Sequence, residues 1–255
     1  MPTVTLRFYE ELNDFLPSPW RKRDIERQIQ PGESLKHLIE AMGVPHTEVE
    51  VVLVNGDSVG LDQQLQGGER ISVYPLFESL DVTPLLRLRE RPLRTPKFVT
   101  DAHLGKLARY LRLVGFDTLF FNDIGDQRLV EISVSERRIL LTRDRALLMR
   151  RTITHGRYVH AIEPWLQLAE VVERLDLAGQ IRPFSRCMVC NGSIVAAQKD
   201  LIEEELPDQV ICQHDQFWRC RDCQKIYWQG SHYSNLLKSI AGLVADNRQA
   251  GDVES

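Results

Sequence analysis

Apolar and polar residues alternate with a period of two near the start of the chain, as expected of a strand with one buried face. Residues 4–8 show this pattern, and residues 24–29 predict the hairpin partner of that strand. Residues 34–43 then place apolar side chains at helical spacing, between a serine that can cap a helix and a glycine that can end it. Two more apolar runs, residues 51–54 and 71–74, complete the order strand, strand, helix, strand, strand.

This order within residues 1–80 is typical of a ubiquitin-like β-grasp domain, and Asn55-Gly56 predicts a tight turn inside it. The stretch VLVNGDSVGLDQQLQGGERISVYPLF resembles the small sulfur-carrier β-grasp proteins of thiamine and molybdopterin synthesis. Those carriers act through a free C-terminal Gly-Gly, whereas Gly67-Gly68 here is internal and predicts a turn. We therefore expect a module that binds or docks a protein partner. The alternative is a sulfur-transfer or conjugation role, with an adenylating enzyme as the partner.

Residues 81–96 contain three prolines and predict a linker rather than a helix. The linker is also basic, so it is either a solvated connector or a strip that contacts phosphates.

Residues 97–182 alternate short apolar runs with helical patterns. Apolar runs at 97–100, 118–121, 139–142 and 158–162 predict four strands, and the intervening residues predict helices. Because short buried strands separated by helices form βαβ units, we expect an α/β core with a doubly wound parallel sheet.

Overall composition is that of a folded protein, with 43% apolar and 27% charged residues. No run approaches the roughly 18 apolar residues that span a bilayer, and the first residues do not have the pattern of a signal peptide. We therefore expect a cytoplasmic protein without membrane contact. Charge is uneven, since the net charge is −4 overall but +5 within residues 81–182. A basic middle region indicates contact with nucleic acid.

All five cysteines lie beyond residue 186, and four of them form two Cys-x-x-Cys pairs, Cys187/Cys190 and Cys220/Cys223. Four thiolates in this arrangement satisfy tetrahedral zinc without an open position, which indicates a structural zinc site. Residues 183–233 therefore predict a zinc ribbon, and residues 234–255 predict a short helix followed by a tail. Cys212 lies outside both pairs and is expected to be a buried thiol.

Acidic residues follow the predicted strands, where functional groups of parallel sheets gather. Asp101 and Asp144 come after the first and third strands, Asp123 lies at the end of the second, and Asp126 opens the next helix. Neighbouring carboxylates suit Mg²⁺ or Mn²⁺, which could activate water for attack on a phosphodiester. Asp101 and Asp126 also lie where helix caps occur, so capping is the alternative.

Basic and aromatic residues beside these acids predict contacts to RNA. Lys106, Arg109 and Arg112 recur at three-residue spacing on one predicted helix, and Arg143 and Arg145 flank Asp144. In the ribbon, aromatic and basic residues alternate, and Arg219 and Trp228 are the expected contacts there. The alternative for the ribbon aromatics is that they form its own small core.

Two stretches carry a more specific resemblance. KFVTDAHLGKLARYLRLVGFDTLF and RILLTRDRALL resemble the PIN-like ribonucleases, and RCMVCNG with FWRCRDCQKIYWQGSHY resembles their branch with a zinc ribbon, the mutator-seven C-terminal RNase family. The resemblance implies metal-dependent hydrolysis of RNA, with Asp101, Asp126 and Asp144 as the acids that hold Mg²⁺ or Mn²⁺. A fourth acid of the PIN-like pattern is matched less clearly, with Glu163 as the candidate, and Asp123 is a further one.

Two other functions remain open from the residues. A non-catalytic RNA-binding adaptor would keep the PIN-like fold without turnover. A receiver-like or phosphatase-like domain would share the sheet, but the chain lacks the paired acids that such domains carry after their first strand.

Overall fold

The computed structural model describes residues 1–75 and 96–230, together with residues 240 and 242. The rest of the predicted linker 81–96 and of the predicted C-terminal segment 234–255 lies outside the described residues. The chain forms two compact units. The first unit comprises Met1–Pro96 and Ile124–Val159, and the second comprises Lys97–Asp123 and His160–Ser255.

The N-terminal part of the first unit is a β-grasp domain. Its elements are β1 (Thr3–Phe8), β2 (Ile25–Gln28), α1 (Leu35–Ala41), β3 (Val49–Val54), β4 (Asp57–Ser58) and β5 (Arg70–Pro75). The five strands form one sheet in the order β2-β1-β5-β3-β4. β1 pairs with β5 in parallel, and β1–β2 and β3–β5 are antiparallel. Alternate residues of β1 and β5 are buried together with one face of α1, and they form a single apolar core.

Local signals in the sequence account for the ends of these elements. The Ser34 hydroxyl accepts a hydrogen bond from the N–H of His37 and caps α1. Gly43 has φ of +88° just beyond the helix, a left-handed conformation that glycine adopts without strain. Asn55 and Gly56 have φ of 53° and 95°, as the two-residue hairpin turn between β3 and β4 requires. The predicted β-grasp domain is therefore confirmed.

Residues 98–174 form pairs of parallel strands and the helices between them. The elements are β6 (Phe98–Thr100), α2 (Gly105–Leu113), β7 (Thr118–Leu119), α3 (Asp126–Ser135), β8 (Ile139–Thr142), α4 (Arg145–Leu148), β9 (Gly156–Tyr158) and α5 (Pro164–Arg174). In the second unit β6 pairs with β7 in parallel, and α2 packs against α5. In the first unit β8 pairs with β9 in parallel. Within its own unit, each of β6 and β8 is buried at every residue. The predicted α/β class with parallel strands is confirmed.

The last strand of this region begins and ends earlier than expected. The pattern predicted residues 158–162, whereas β9 ends at Tyr158. The N–H groups of His160 and Ala161 instead donate to the carboxylate of Glu170, at distances of 2.8 to 3.1 Å. Because these donors are used by a side chain, they are not available to extend a strand ladder.

The C-terminal part of the second unit is a small antiparallel ribbon. It contains β10 (Ile194–Ala197), α6 (Asp208–Gln213), β11 (Phe217–Cys220) and β12 (Ile226–Trp228). The strand order is β10-β11-β12. Within the described residues, no helix is long and apolar enough to cross a membrane.

Candidate functional site

The four paired cysteines converge in the ribbon. Cys187 and Cys190 lie in the turn before β10, and Cys220 and Cys223 lie at the end of β11 and in the turn after it. All four Sγ atoms lie within 4.8 Å of one another. A zinc ion with Zn–S bonds of about 2.3 Å separates its sulfur ligands by about 3.8 Å in a tetrahedron. The cluster therefore fits the predicted zinc site in both donor type and spacing.

Hydrogen bonds around Cys187 favour its thiolate. Burial alone would raise its pKa, but the Tyr227 hydroxyl, the N–H groups of Cys190 and Val189, and the Cys223 thiol outweigh it and lower the pKa to about 6. The Tyr227 oxygen lies 3.0 Å from the Cys187 sulfur, and its own pKa is raised by burial and by that thiolate. Since zinc binds thiolates, these contacts prepare the cluster for metal.

Two side chains fasten the first cysteine pair to the α/β part of the second unit. Arg112 is 5% exposed and donates to the carbonyl oxygens of Thr118, Met188 and Val189. Asn191 accepts from the N–H of Thr118 at 3.0 Å and donates to the Asp117 carboxylate at 2.8 Å. Cys212, by contrast, is exposed and lies outside the cluster, so the expectation that it is buried was wrong.

Asp101 and Asp144 occupy matching local positions after strands β6 and β8. Each caps the following helical turn, since Asp101 Oδ1 accepts from the N–H of His103 and Asp144 Oδ1 accepts from the N–H of Ala146, both at 2.8 Å. The Asp101 side chain is 13% exposed, and Asp144 is exposed. Each cap fixes one carboxylate oxygen and thereby sets the direction of the other.

The other acids differ in their positions and in their partners. Asp126 is the first residue of α3, and its Oδ2 accepts from Arg150 Nη2 at 3.0 Å. Glu163 precedes α5 without a side-chain cap bond, and Asp123 is exposed after β7. Asp126 and Asp144 belong to the first unit, and Asp101, Asp123 and Glu163 belong to the second. Among the described residues, the four cysteines form the one group of three or more metal-ligating side chains with all ligand atoms this close.

The predicted RNA-contacting residues differ in their surroundings. Lys106 and Arg109 are exposed on α2, and Arg143 is exposed after β8. Arg112 differs from the expectation, because its buried guanidinium is bonded to three backbone carbonyls and has little surface for a phosphate. In the ribbon Arg219 is paired with Glu205, and Trp228 is half-buried in β12.

Arg145 is also engaged within the protein. Its Nη1 donates to the carbonyl oxygen of Phe15 at 3.1 Å, and its guanidinium carbon lies 5.0 Å from the centre of the Phe15 ring. The sequence carries no signal for this contact, because the two residues lie 130 positions apart. Asn191, with φ of +71°, was also missed, although an Asn-Gly pair directly after Cys-x-x-Cys indicates a left-handed turn.

The fold and the cluster define an α/β protein with parallel strands that carries a four-cysteine ribbon and follows a β-grasp domain. Two family models match the chain: the Mut7-C RNAse domain over residues 96–240 and the Mut7-C ubiquitin over residues 1–81. The first of these spans more than half of the chain. The protein therefore belongs to the Mut7-C RNase-domain family, as the resemblance implied.

The solved structures that match cover about 30% of the chain. Small archaeal modifier protein 1 of H. volcanii is 12% identical, with a TM-score of 0.24, and the match covers 29% of this chain and 98% of that one. A putative molybdopterin converting factor subunit 1 from Pyrococcus furiosus is 19% identical, with the same TM-score and coverage. No curated protein matches the chain. The fold of residues 1–75 is therefore assigned from its own strand order and from the family model.

Proposed function

We propose that the protein is a ribonuclease that hydrolyses RNA with Mg²⁺ or Mn²⁺ held by Asp101, Asp126 and Asp144. The observation that carries this proposal is that the RNase-domain model spans all three acids, each of which follows a strand or opens a helix. Glu163 and Asp123 lie in the same span and are auxiliary acids in the proposal.

The donor set suits these ions, because carboxylate oxygens are hard ligands and neither Mg²⁺ nor Mn²⁺ favours sulfur. The bound ion would lower the pKa of a coordinated water and stabilise the charge on the phosphate. The chain itself would contribute by orienting the three carboxylates. Backbone N–H groups hold one oxygen of Asp101 and of Asp144, and Arg150 holds one oxygen of Asp126. Carboxylates with one fixed oxygen lose little rotamer freedom when the other oxygen binds an ion.

RNA would contact the exposed cations beside these acids. Lys106 and Arg109 lie on the exposed side of α2, which begins four residues after Asp101, and Arg143 directly precedes Asp144. Such cations neutralise phosphates without reading sequence. The ribbon would add Arg219 and the half-buried Trp228 to this surface, with zinc as the ion that keeps the ribbon folded.

A cleavage assay tests the proposal. Labelled single-stranded and structured RNA are incubated with zinc-loaded protein in Mn²⁺, in Mg²⁺ or in EDTA, and the zinc content of the EDTA sample is measured alongside. We expect cleavage with Mn²⁺ or Mg²⁺ and none with EDTA. Binding of RNA without cleavage under all conditions would reject the nuclease and support the RNA-binding adaptor.

A further inference from the structure

The β-grasp domain contacts the short helix that follows Asp144. Arg145 is the first residue of α4, and its guanidinium lies beside a pair of aromatic rings of the first unit. Its carbon is 5.0 Å from the ring centre of Phe15 and 5.4 Å from that of Tyr158. The two rings meet edge to face, with centres 5.5 Å apart. Phe15 is 3% exposed and belongs to the core of the β-grasp domain, and Tyr158 packs against that core.

A direct hydrogen bond accompanies these ring contacts, from Arg145 Nη1 to the carbonyl oxygen of Phe15. The end of helix α1 completes the surroundings, since a Cβ at Gly43 would lie 3.6 Å from the same carbonyl oxygen and 3.9 Å from Arg145 Nη1. A guanidinium that contacts two aromatic rings and also donates a charge-assisted hydrogen bond to a backbone carbonyl is restricted to one position. Arg145 therefore fixes α4 to the β-grasp domain.

Further polar contacts attach the strand that follows α4. The side chain of Glu48 accepts from the N–H of Tyr158, and Arg157 donates to the carbonyl oxygen of Thr47. Glu48 and Arg157 are 1% and 6% exposed, so both contacts are shielded from water. His46 Nε2 lies 2.9 Å from the carbonyl oxygen of Ile153. Residues 46–48 of the β-grasp domain thus hold the segment that runs from α4 into β9.

Helix α4 connects two of the proposed metal-binding acids. Asp144 caps its N-terminus through the N–H groups of Ala146 and Leu147, at 2.8 and 3.3 Å. Arg150, just beyond its C-terminal end, holds Asp126. A change in the position of α4 therefore moves both carboxylates, and the contacts that fix α4 come from the β-grasp domain.

We propose that the β-grasp domain positions the metal-binding acids of the nuclease through Arg145, which acts on Asp144 and is not itself in contact with the substrate. This inference rests on the proposed function and gives the N-terminal domain a role within its own chain. Removal of residues that orient a metal ligand lowers metal affinity by about 10- to 100-fold.

Mn²⁺ titrations of RNA cleavage test the proposal in the full-length protein. We expect Arg145→Ala to raise the Mn²⁺ concentration for half-maximal cleavage by about tenfold, with recovery at saturating Mn²⁺ and an unchanged KM for RNA. Arg145→Lys keeps a cation for both rings and is expected to lie near the wild type. Phe15→Leu changes the β-grasp side of the contact alone and is expected to shift the Mn²⁺ midpoint in the same direction. Arg128→Ala, an exposed arginine of α3 in a surface ion pair with Glu131, is the control.

Amide hydrogen exchange in the zinc-loaded protein, without added Mn²⁺ or Mg²⁺, gives a readout that does not depend on catalysis. We expect faster exchange at Ala146 and Leu147 in Arg145→Ala and Phe15→Leu than in the wild type or Arg128→Ala. If the wild type does not cleave RNA, the proposed function fails, and this exchange still decides whether the contact orders α4. An unchanged Mn²⁺ midpoint with a raised KM for RNA would overturn the inference and make Arg145 an RNA contact. Unchanged exchange at both amides would overturn it as well.

Discussion

The guanidinium of Arg112 donates to the carbonyl oxygen of Val189 at 2.8 Å, across 77 positions of sequence. A second bond runs from the same nitrogen to the carbonyl oxygen of Met188 at 3.3 Å. These carbonyls belong to the peptide groups whose N–H atoms, on Val189 and Cys190, donate to the thiolate of Cys187. The positive charge of Arg112 is thus linked to the predicted zinc ligand Cys187 through two polarised peptide groups, and helix α2 is linked to the ribbon.

Replacement of Arg112 is therefore expected to affect both stability and zinc binding. Arg112→Ala leaves three carbonyl oxygens without their donor, one of them buried, and should lower the free energy of unfolding by about 3 kcal/mol. Zinc affinity should fall at the same time, because the peptide groups that hold Cys187 lose their support. Urea unfolding and competition with a chelator measure the two effects. Arg109→Ala, on the exposed side of the same helix, is expected to change stability by less than about 0.5 kcal/mol. Equal stability and zinc affinity in the two variants would contradict this role for Arg112.

Removal of one predicted zinc ligand gives a second prediction. Cys220→Ser should reduce bound zinc to well below one ion per chain and lower the melting temperature, because metal binding contributes to the folding free energy of such ribbons. Cys212→Ser is the matched control, since Cys212 is exposed and outside the cluster. Metal content by mass spectrometry and thermal melts compare the variants with the wild type. The four-thiolate assignment would be wrong if Cys212→Ser lost zinc and Cys220→Ser kept it.

A glycine at the end of α2 gives a third prediction. Gly115 has φ of +104°, and a Cβ there would lie 2.4 Å from the carbonyl oxygen of Arg182. Gly115→Ala therefore combines backbone strain with a backbone clash and should cost about 3 kcal/mol of stability. Gly179→Ala meets no atom within 4 Å and should be close to neutral. Denaturant midpoints of both variants measure this difference in stability. Equal midpoints would contradict the close approach of the Arg182 carbonyl oxygen to Gly115.

Local chemistry in the sequence was sufficient to predict several elements. Ser34 and Asn55-Gly56 each act on neighbouring residues, so the β-grasp order followed from the pattern. The cysteine cluster was predictable as well, because the Cys-x-x-Cys spacing itself sets ligand geometry. The positions of the acids at strand ends also followed from the alternation of strands and helices.

Contacts between distant residues were not predictable in this way. Lys106, Arg109 and Arg112 share a three-residue spacing, but three residues turn an α-helix by about 300°, so Arg112 lies about 120° away from Lys106. That rotation takes Arg112 from the exposed side to β7 and the cysteine turn, where its partners come from elsewhere in the chain. Arg145 beside Asp144 was likewise interpreted as an RNA contact, because nothing local indicates Phe15 as its partner.

The most direct test of the proposed activity is the Mn²⁺-dependent rate of RNA cleavage by Asp101→Asn and Asp144→Asn beside the wild type. Each substitution keeps an oxygen that can cap the following helix but removes the negative charge that would bind the ion. Circular dichroism and zinc content first establish that both variants are folded. We predict that each cleaves RNA at least about 100-fold more slowly than the wild type. Cleavage by both variants at the wild-type rate would contradict the account, because the two carboxylates would then act only as helix caps.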